Sequence, residues 1–295
     1  MITVPNRDGP ARQNSRPTRS AANLSLRVAS ALVLAPVVLA AAYFDGWIFL
    51  LLCMAAAGGM LWEWMRLVTH RSDPWLLAPG IAALLTACAL TGLREPGAAI
   101  AAVGIGAAVT GAIGRAVTHA HNDGWAWTGA GVLYAGVAFF GPALLRHDSE
   151  LGFQAFLFLA LAVWMTDICA YAVGRALGGP LLWPKVSPNK TWAGAIGGLA
   201  GGLAGGVLVA YAGGTGSLAS VGVIALLLSA AAQAGDLLES AIKRRFGAKD
   251  TSQLIPGHGG LMDRLDGFLV AALAALLIGT LHQGTYAPAH GLLVW

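Results

Sequence analysis

The chain has 295 residues, of which 57% are hydrophobic and only 11% charged, and its mean hydropathy is +0.67. That composition excludes an ordinary soluble domain, where about a quarter of residues are charged, and no polar stretch is long enough to bury a core of its own. The net charge of +4 reads as an orientation signal and an attraction to anionic headgroups, and implies no nucleic-acid partner.

A helix needs about 20 mostly apolar residues to cross a bilayer. The sequence predicts nine such spans, near 28–44, 47–62, 75–92, 97–114, 127–145, 153–173, 193–212, 217–235 and 267–283. The expected fold is therefore an all-α, polytopic integral membrane protein. Residues 1–27, rich in Arg, Pro, Ser and Asn, predict a disordered basic arm. The alternative is a long n-region of a signal peptide, cleaved at Ala40–Ala42. With the N-terminus cytoplasmic, alternation puts 16 of the 18 Lys and Arg residues inside and only Arg94 and Arg146 outside. The expected organisation is N-terminal transmembrane helices over 28–150 and a C-terminal transmembrane catalytic region over 151–295. The second region carries cytoplasmic loops 174–192 and 236–266.

Spans one to five are rich in Ala and Leu and chemically quiet. Glu63, between Trp62 and Trp64 at the end of span two, reads first as part of an interfacial aromatic anchor and second as a substrate contact. His119, His121 and Asp123 form an H-x-H-x-D that reads as a solvated loop more readily than as a metal site. Cys53, Cys88 and Cys169 fall inside apolar spans without C-x-x-C spacing and read as packing residues.

From residue 160 the character changes. Asp167 follows a long apolar run and precedes Arg175 by eight residues, roughly 12 Å of helix. An ionisable group at that depth costs about 2.5–3.5 kcal/mol, so Asp167 is expected to bond across helices or reach a site. Ser187, Lys190 and Thr191 end a Pro-rich loop just before span seven. They read either as a phosphate-facing segment at a helix N-terminus or as a stiff turn. Within span seven, Gly194, Gly198, Gly202 and Gly206 repeat every four residues, which lets another helix approach closely. That neighbour belongs either to this chain or to a second subunit, as in a homodimer.

Residues 236–266 hold ten of the 32 charged side chains. Asp236, Glu239, Asp250, Asp263 and Asp266 are the acids; Lys243, Arg244, Arg245, Lys249 and Arg264 are the bases. If span eight continues as helix past Asp236, then Glu239, Ser240 and Lys243 share its face, and Phe246-Gly247 ends it. Asp263 and Asp266, at i and i+3, are placed to reach back toward Asp236. A salt-bridged interfacial loop is one reading. The glycines around His258 (Gly257, Gly259, Gly260) favour the other, a site for a metal ion and phosphates, because they let backbone approach an anion.

The run Ser240-Ala-Ile-Lys-Arg-Arg-Phe-Gly-Ala-Lys-Asp250, continuing through Thr251-Ser-Gln-Leu-Ile-Pro-Gly-His-Gly-Gly-Leu-Met-Asp-Arg-Leu-Asp266, resembles the signature of phosphatidate cytidylyltransferases, gapless over 27 positions. Asp167 to Arg175, Ser187-Pro-Asn-Lys-Thr191 and Gly235-Asp-Leu-Leu-Glu-Ser240 are also similar to family segments, so the likeness covers roughly 165–266. The N-terminal half is similar only as a stack of apolar spans. One departure stands at Ala193-Gly194, where the family commonly carries Glu-Gly. The resemblance implies transfer of CMP from CTP to phosphatidic acid, giving CDP-diacylglycerol and pyrophosphate in the bacterial inner membrane, with the site facing the cytoplasm. It also implies Mg²⁺ on Asp236 and Asp263, with Asp266 or Asp167 open to a second, monovalent cation. Lys190, Lys243, Arg244, Lys249 and Arg264 are then expected on substrate phosphates. Ser187, Thr191, Ser240, His258, Gly259 and Gly260 are expected around the substrates. A CTP-dependent lipid or polyprenol kinase, or a transporter of an anionic solute, are the alternatives.

Overall fold

The computed structural model describes residues 32–70, 73–118, 124–252, 254 and 259–295. The basic arm, the His119–Asp123 segment and His258 lie outside the described residues. Among the described residues ten helices follow in chain order. They are α1 (Leu32–Phe44), α2 (Gly46–Thr69), α3 (Pro74–Gly92), α4 (Pro96–Thr118) and α5 (Gly124–Arg146). After these come α6 (Gly152–Leu177), α7 (Trp192–Gly213), α8 (Leu218–Arg245), α9 (Met262–Gln283) and α10 (Pro288–Leu293). Among the described residues, α2 to α9 are eight helices long and apolar enough to cross a membrane, while α1 is shorter. The chain is thus an all-α polytopic membrane protein. Of the nine expected spans, the first is the one whose described part falls short of crossing length.

Several helices depart from the expected boundaries at their polar ends, and α2 runs seven residues past 62 to Thr69. The eighth span was expected to stop at 235, and α8 instead runs to Arg245; α9 begins at Met262, five residues before the expected 267. Hydropathy stops a span where charges begin, but a helix continues as long as its backbone is bonded. Phe246 caps α8, and Gly247, with φ of +69°, turns the chain away, as the Phe-Gly pair predicts.

Helices α1 to α5 share one core, built around Phe49, Leu61, Leu84, Val132 and Phe139. A second core joins α5 to α10 through Phe158, Leu159, Leu228 and Ala272. A third, smaller cluster brings Met60, Trp64 and Leu67 of α2 against Ile242 of α8 and Met262 and Leu269 of α9. The N-terminal helices are therefore packed directly under the charged region.

The glycine stripe of α7 finds its neighbours inside the chain. A Cβ on Gly194 would lie 2.8 Å from the Ala170 carbonyl of α6. One on Gly202 would lie 2.5 Å from Thr166 Oγ1 of α6 and 2.6 Å from Ser229 Cβ of α8. That approach puts the Thr166 and Ser229 hydroxyls 2.7 Å apart in the apolar interior. The Pro-rich loop before α7 is a two-stranded hairpin, β1 (Leu181–Trp183) and β2 (Ser187–Thr191), with Leu181 opposite Thr191. Pro188 is tolerated there because both strands of a two-stranded ribbon are edges.

Candidate active site

At the end of the bundle where α6, the hairpin, α7, α8 and α9 meet is an open cavity of about 840 Å³. Helix α6 contributes Asp167, Tyr171 and Arg175, one stripe at i, i+4 and i+8. The hairpin contributes Leu182, Ser187, Asn189, Lys190 and Thr191; α8 contributes Gln233 and Asp236; α9 contributes Asp263, Arg264 and Asp266. Both signs of charge thus face one space near the N-termini of two helices, where the positive dipole ends favour anions.

The polar groups are ordered by specific bonds. Thr191 caps α7, its Oγ1 accepting from the Gly194 N–H at 3.1 Å. Lys190 Nζ pairs with Asp236 Oδ2, and Ser240 Oγ donates to Asp236 Oδ1 at 3.4 Å. The Arg175 guanidinium donates to the Tyr171 hydroxyl at 2.8 Å. Behind the wall, Lys243 Nζ lies 2.9 Å from Glu239 Oε2 and 2.7 Å from Asp263 Oδ1. The other Asp263 oxygen accepts from Gly260 N–H at 3.0 Å and Thr251 N–H at 3.2 Å.

Eight of the expected residues meet at the cavity: Asp167, Ser187, Lys190, Thr191, Asp236, Asp263, Arg264 and Asp266. Ser240 and Lys243 stand behind that wall. Arg244 and Lys249 are exposed outside the lining, and Arg244 donates to the Ala248 carbonyl at 3.2 Å. Gly259 has φ of +91°, a conformation that glycine alone adopts freely, and Gly260 sits against Glu63. Ala193 is half-buried and outside the lining, whereas its neighbours Gly194 and Ala195 belong to it. Of the polar lining residues the sequence reading missed Tyr171, Arg175, Asn189 and Gln233. Gln233 carried a usable signal: a polar residue in an apolar run, three positions before Asp236 and so on its face.

Glu63 is corrected. It is 0% exposed and serves neither as an interfacial anchor nor as part of the cavity lining. Its carboxylate accepts from the Leu261 N–H at 2.8 Å and the Met262 N–H at 2.7 Å. Ser252 Oγ donates to it at 2.5 Å. Thr251 Oγ1, 3.2 Å away, has one proton to share between Glu63 and Asp263. The flanking tryptophan Trp64 points to the interior as well, stacking on Trp127 and donating to its carbonyl at 2.8 Å.

The donors around the cavity are carboxylate oxygens, the set that a hard divalent cation takes. Among the described residues no three His, Cys, Asp or Glu side chains already stand at metal-ligand spacing. Mg²⁺ needs fewer, since it keeps water and substrate oxygens in its shell. Glu239, beside Asp266, is ion-paired with Lys243, but both its oxygens are buried without a hydrogen bond of good angle. Glu239 lies outside the lining; the carboxylates that face the cavity, Asp167, Asp236 and Asp266, are the oxygen donors that fit a hard cation.

Fold and cavity together define a polytopic membrane protein with a site suited to phosphates and a cation at one end of its helices. The chain belongs to the cytidylyltransferase family, whose model matches residues 25–282. It is 42% identical over 274 residues to a phosphatidate cytidylyltransferase of Brucella suis, covering 90% of this chain and 97% of that one. A Brucella abortus protein of the same name is 42% identical over 267 residues, covering 88% and 94%. One from Staphylococcus saprophyticus is 39% identical over 139 residues, covering 47% and 52%. The family match reaches well into the N-terminal half, where the signature does not.

Proposed function

We propose that this chain transfers CMP from CTP to phosphatidic acid, forming CDP-diacylglycerol and pyrophosphate. The observation that carries the reading is the cavity in which Asp167, Asp236 and Asp266 face Lys190, Arg175 and Arg264, in a member of this family. Its volume lies toward the upper end of the usual range for ligand pockets, about 300–1,000 Å³.

The chemistry asks little acid–base work of the protein. An oxygen of the lipid phosphate, already anionic, bonds to the α-phosphorus of CTP; the bond from that phosphorus to the bridging oxygen breaks, and this oxygen leaves on pyrophosphate. The site must offset repulsion between two anions, hold them in line and stabilise the leaving group. Lys190 and Arg264 supply positive charge to the phosphates, and the start of α7 adds the positive end of its dipole. Ser187 and Asn189 offer polar contacts from the hairpin. Mg²⁺ held by Asp236 and Asp266, with Asp167 across the cavity, would neutralise phosphate charge as the pyrophosphate forms. Asp263 spends both oxygens on Lys243 and backbone N–H groups, so it shapes the wall that Arg264 and Asp266 share. Arg244 and Lys249, exposed beyond the lining, draw anionic substrates toward it. The Lys and Arg asymmetry supports a site on the cytoplasmic face of the membrane.

The test is the purified protein in detergent with phosphatidic acid, Mg²⁺ and CTP labelled at the α-phosphate. Label in the lipid with release of pyrophosphate is the expected result. Label entering the lipid only from γ-labelled CTP makes the protein a kinase and overturns the reading. Asp236→Ala is expected to abolish transfer while the chain still inserts in the membrane; a variant of near wild-type rate removes Asp236 from the site.

A further inference from the structure

Helix α9 has no cap of its own. Its N-cap position is Leu261, whose side chain bonds nothing, yet the first N–H groups of a helix have no partner within it. The partner comes from α2. Glu63 takes the Leu261 and Met262 N–H groups, 198 and 199 residues along the chain, and the Ser252 hydroxyl on the same carboxylate. The fit is close: a Cβ on Gly260 would lie 2.9 and 3.0 Å from the two Glu63 oxygens. Helix α2 holds the carboxylate in place through Met60, Trp64 and Leu67, packed on Ile242, Met262 and Leu269. The carboxylate stands at the N-terminus of α9, the positive end of its dipole.

We propose that Glu63 is the positioning residue of this site: its carboxylate fixes the first turn of α9 and thereby the direction of Asp263, Arg264 and Asp266. All three lie within five residues of the start of α9. Glu63 is outside the cavity lining and its oxygens are taken, so it acts through α9 and not on substrate. A displacement of about 1 Å in groups that align two phosphates costs on the order of 10²-fold in rate. Thr251, within reach of both Glu63 and Asp263, ties the clamp to the Lys243 pair. The kinetic part of this inference rests on the cytidylyl-transfer reading; the structural part does not.

The variant to make in the full chain is Glu63→Gln. Each carboxylate oxygen serves one backbone N–H, so either orientation of the amide turns its NH₂ toward a donor and loses that bond. The folded variant, verified by thermal unfolding, is expected to show kcat lowered by about 10–100-fold with KM for CTP changed far less. Hydrogen–deuterium exchange should speed up at the start of α9 and around Thr251 and Ser252, with α6 and α7 unchanged. Glu63→Asp, which keeps the carboxylate one methylene back, should recover part of kcat. Wild-type kcat per folded Glu63→Gln molecule overturns the proposal, and so does a loss expressed wholly in KM. If Glu63→Gln does not fold, Glu63→Asp carries the same readouts against wild type, with lower kcat and faster exchange expected and wild-type behaviour overturning the proposal. If the wild-type protein transfers no label, the functional reading fails, and the exchange comparison still judges the clamp.

Discussion

Lys243 shows how one side chain is claimed by two kinds of explanation. Its position in the charged run suits a phosphate ligand, but its ammonium lies between Glu239 and Asp263, with only 13% of the side chain exposed. Taking away one member of such a buried group leaves the others charged and unpaired, which costs about 3–5 kcal/mol where the site cannot readmit water. Lys243→Met should therefore lower the unfolding temperature sharply, and adding Glu239→Gln should restore part of it. A phosphate ligand behaves otherwise: the variant would keep its unfolding temperature and raise KM for CTP. Tryptophan fluorescence on heating, beside a CTP titration of initial rates, separates the two. The sequence made this residue conspicuous and the resemblance assigned it to substrate phosphates; spacing along α8 shows which residues share a face and not what stands opposite it.

At the scale of elements, the signals that survived folding were local and those that failed were long-range. The Phe246-Gly247 stop, the shared face of Asp236, Ser240 and Lys243, and the close packing at the α7 glycines all depend on residues within a turn or two. The cap on α9 depends on a residue in α2, and no pattern within either helix announces it. The same holds at the opposite end of the bundle. There Asp148, at the start of α6, accepts from the Glu150 and Leu151 N–H groups at 3.0 Å and pairs with His290 of α10 at 3.1 Å. Burial would raise the Asp148 carboxyl, but those N–H groups and His290 hold it below the usual carboxylate range. Burial first, and Arg94 next, hold the adjacent His147 below the usual histidine range, and its Nε2 is buried without a partner. For Asp148 the stabilisation is present above the unfolded pKa and lost as pH falls through the folded one. For His147 the folded protein resists a proton that the unfolded chain accepts, so stability also declines as pH falls, starting in the histidine range. Between about pH 7.5 and 5.5 only His147 titrates of the two. His147 therefore contributes a loss of unfolding temperature over that interval, and His147→Gln should remove that contribution, so that the variant loses less than wild type between the two pH values; equal slopes would remove His147 as the cause.

On the scale of the molecule, the signature segments lie between 165 and 266, yet the family match runs over 25–282. The third apolar cluster and Glu63 supply a physical reason for the N-terminal half to belong to the same unit: α2 is the floor on which α8 and α9 meet. The Lys and Arg asymmetry predicts the orientation, and one helix suffices to test it. Glu150 precedes α6 and Lys185 follows it in the hairpin turn, so a crossing by α6, which is long and apolar enough to span, sets them on opposite faces. Both are exposed, while Cys53 and Cys88 are buried and Cys169 half-buried, so an impermeant maleimide meets an introduced thiol first. Lys185→Cys is expected to react only in inside-out vesicles and Glu150→Cys only in right-side-out ones, since positive loops stay in the cytoplasm. The reverse pattern would turn the site away from the cytoplasm and so from the compartment that supplies CTP. Reaction of both from one side would mean that α6 does not cross, and Asp167 would no longer stand within the membrane beside the cavity.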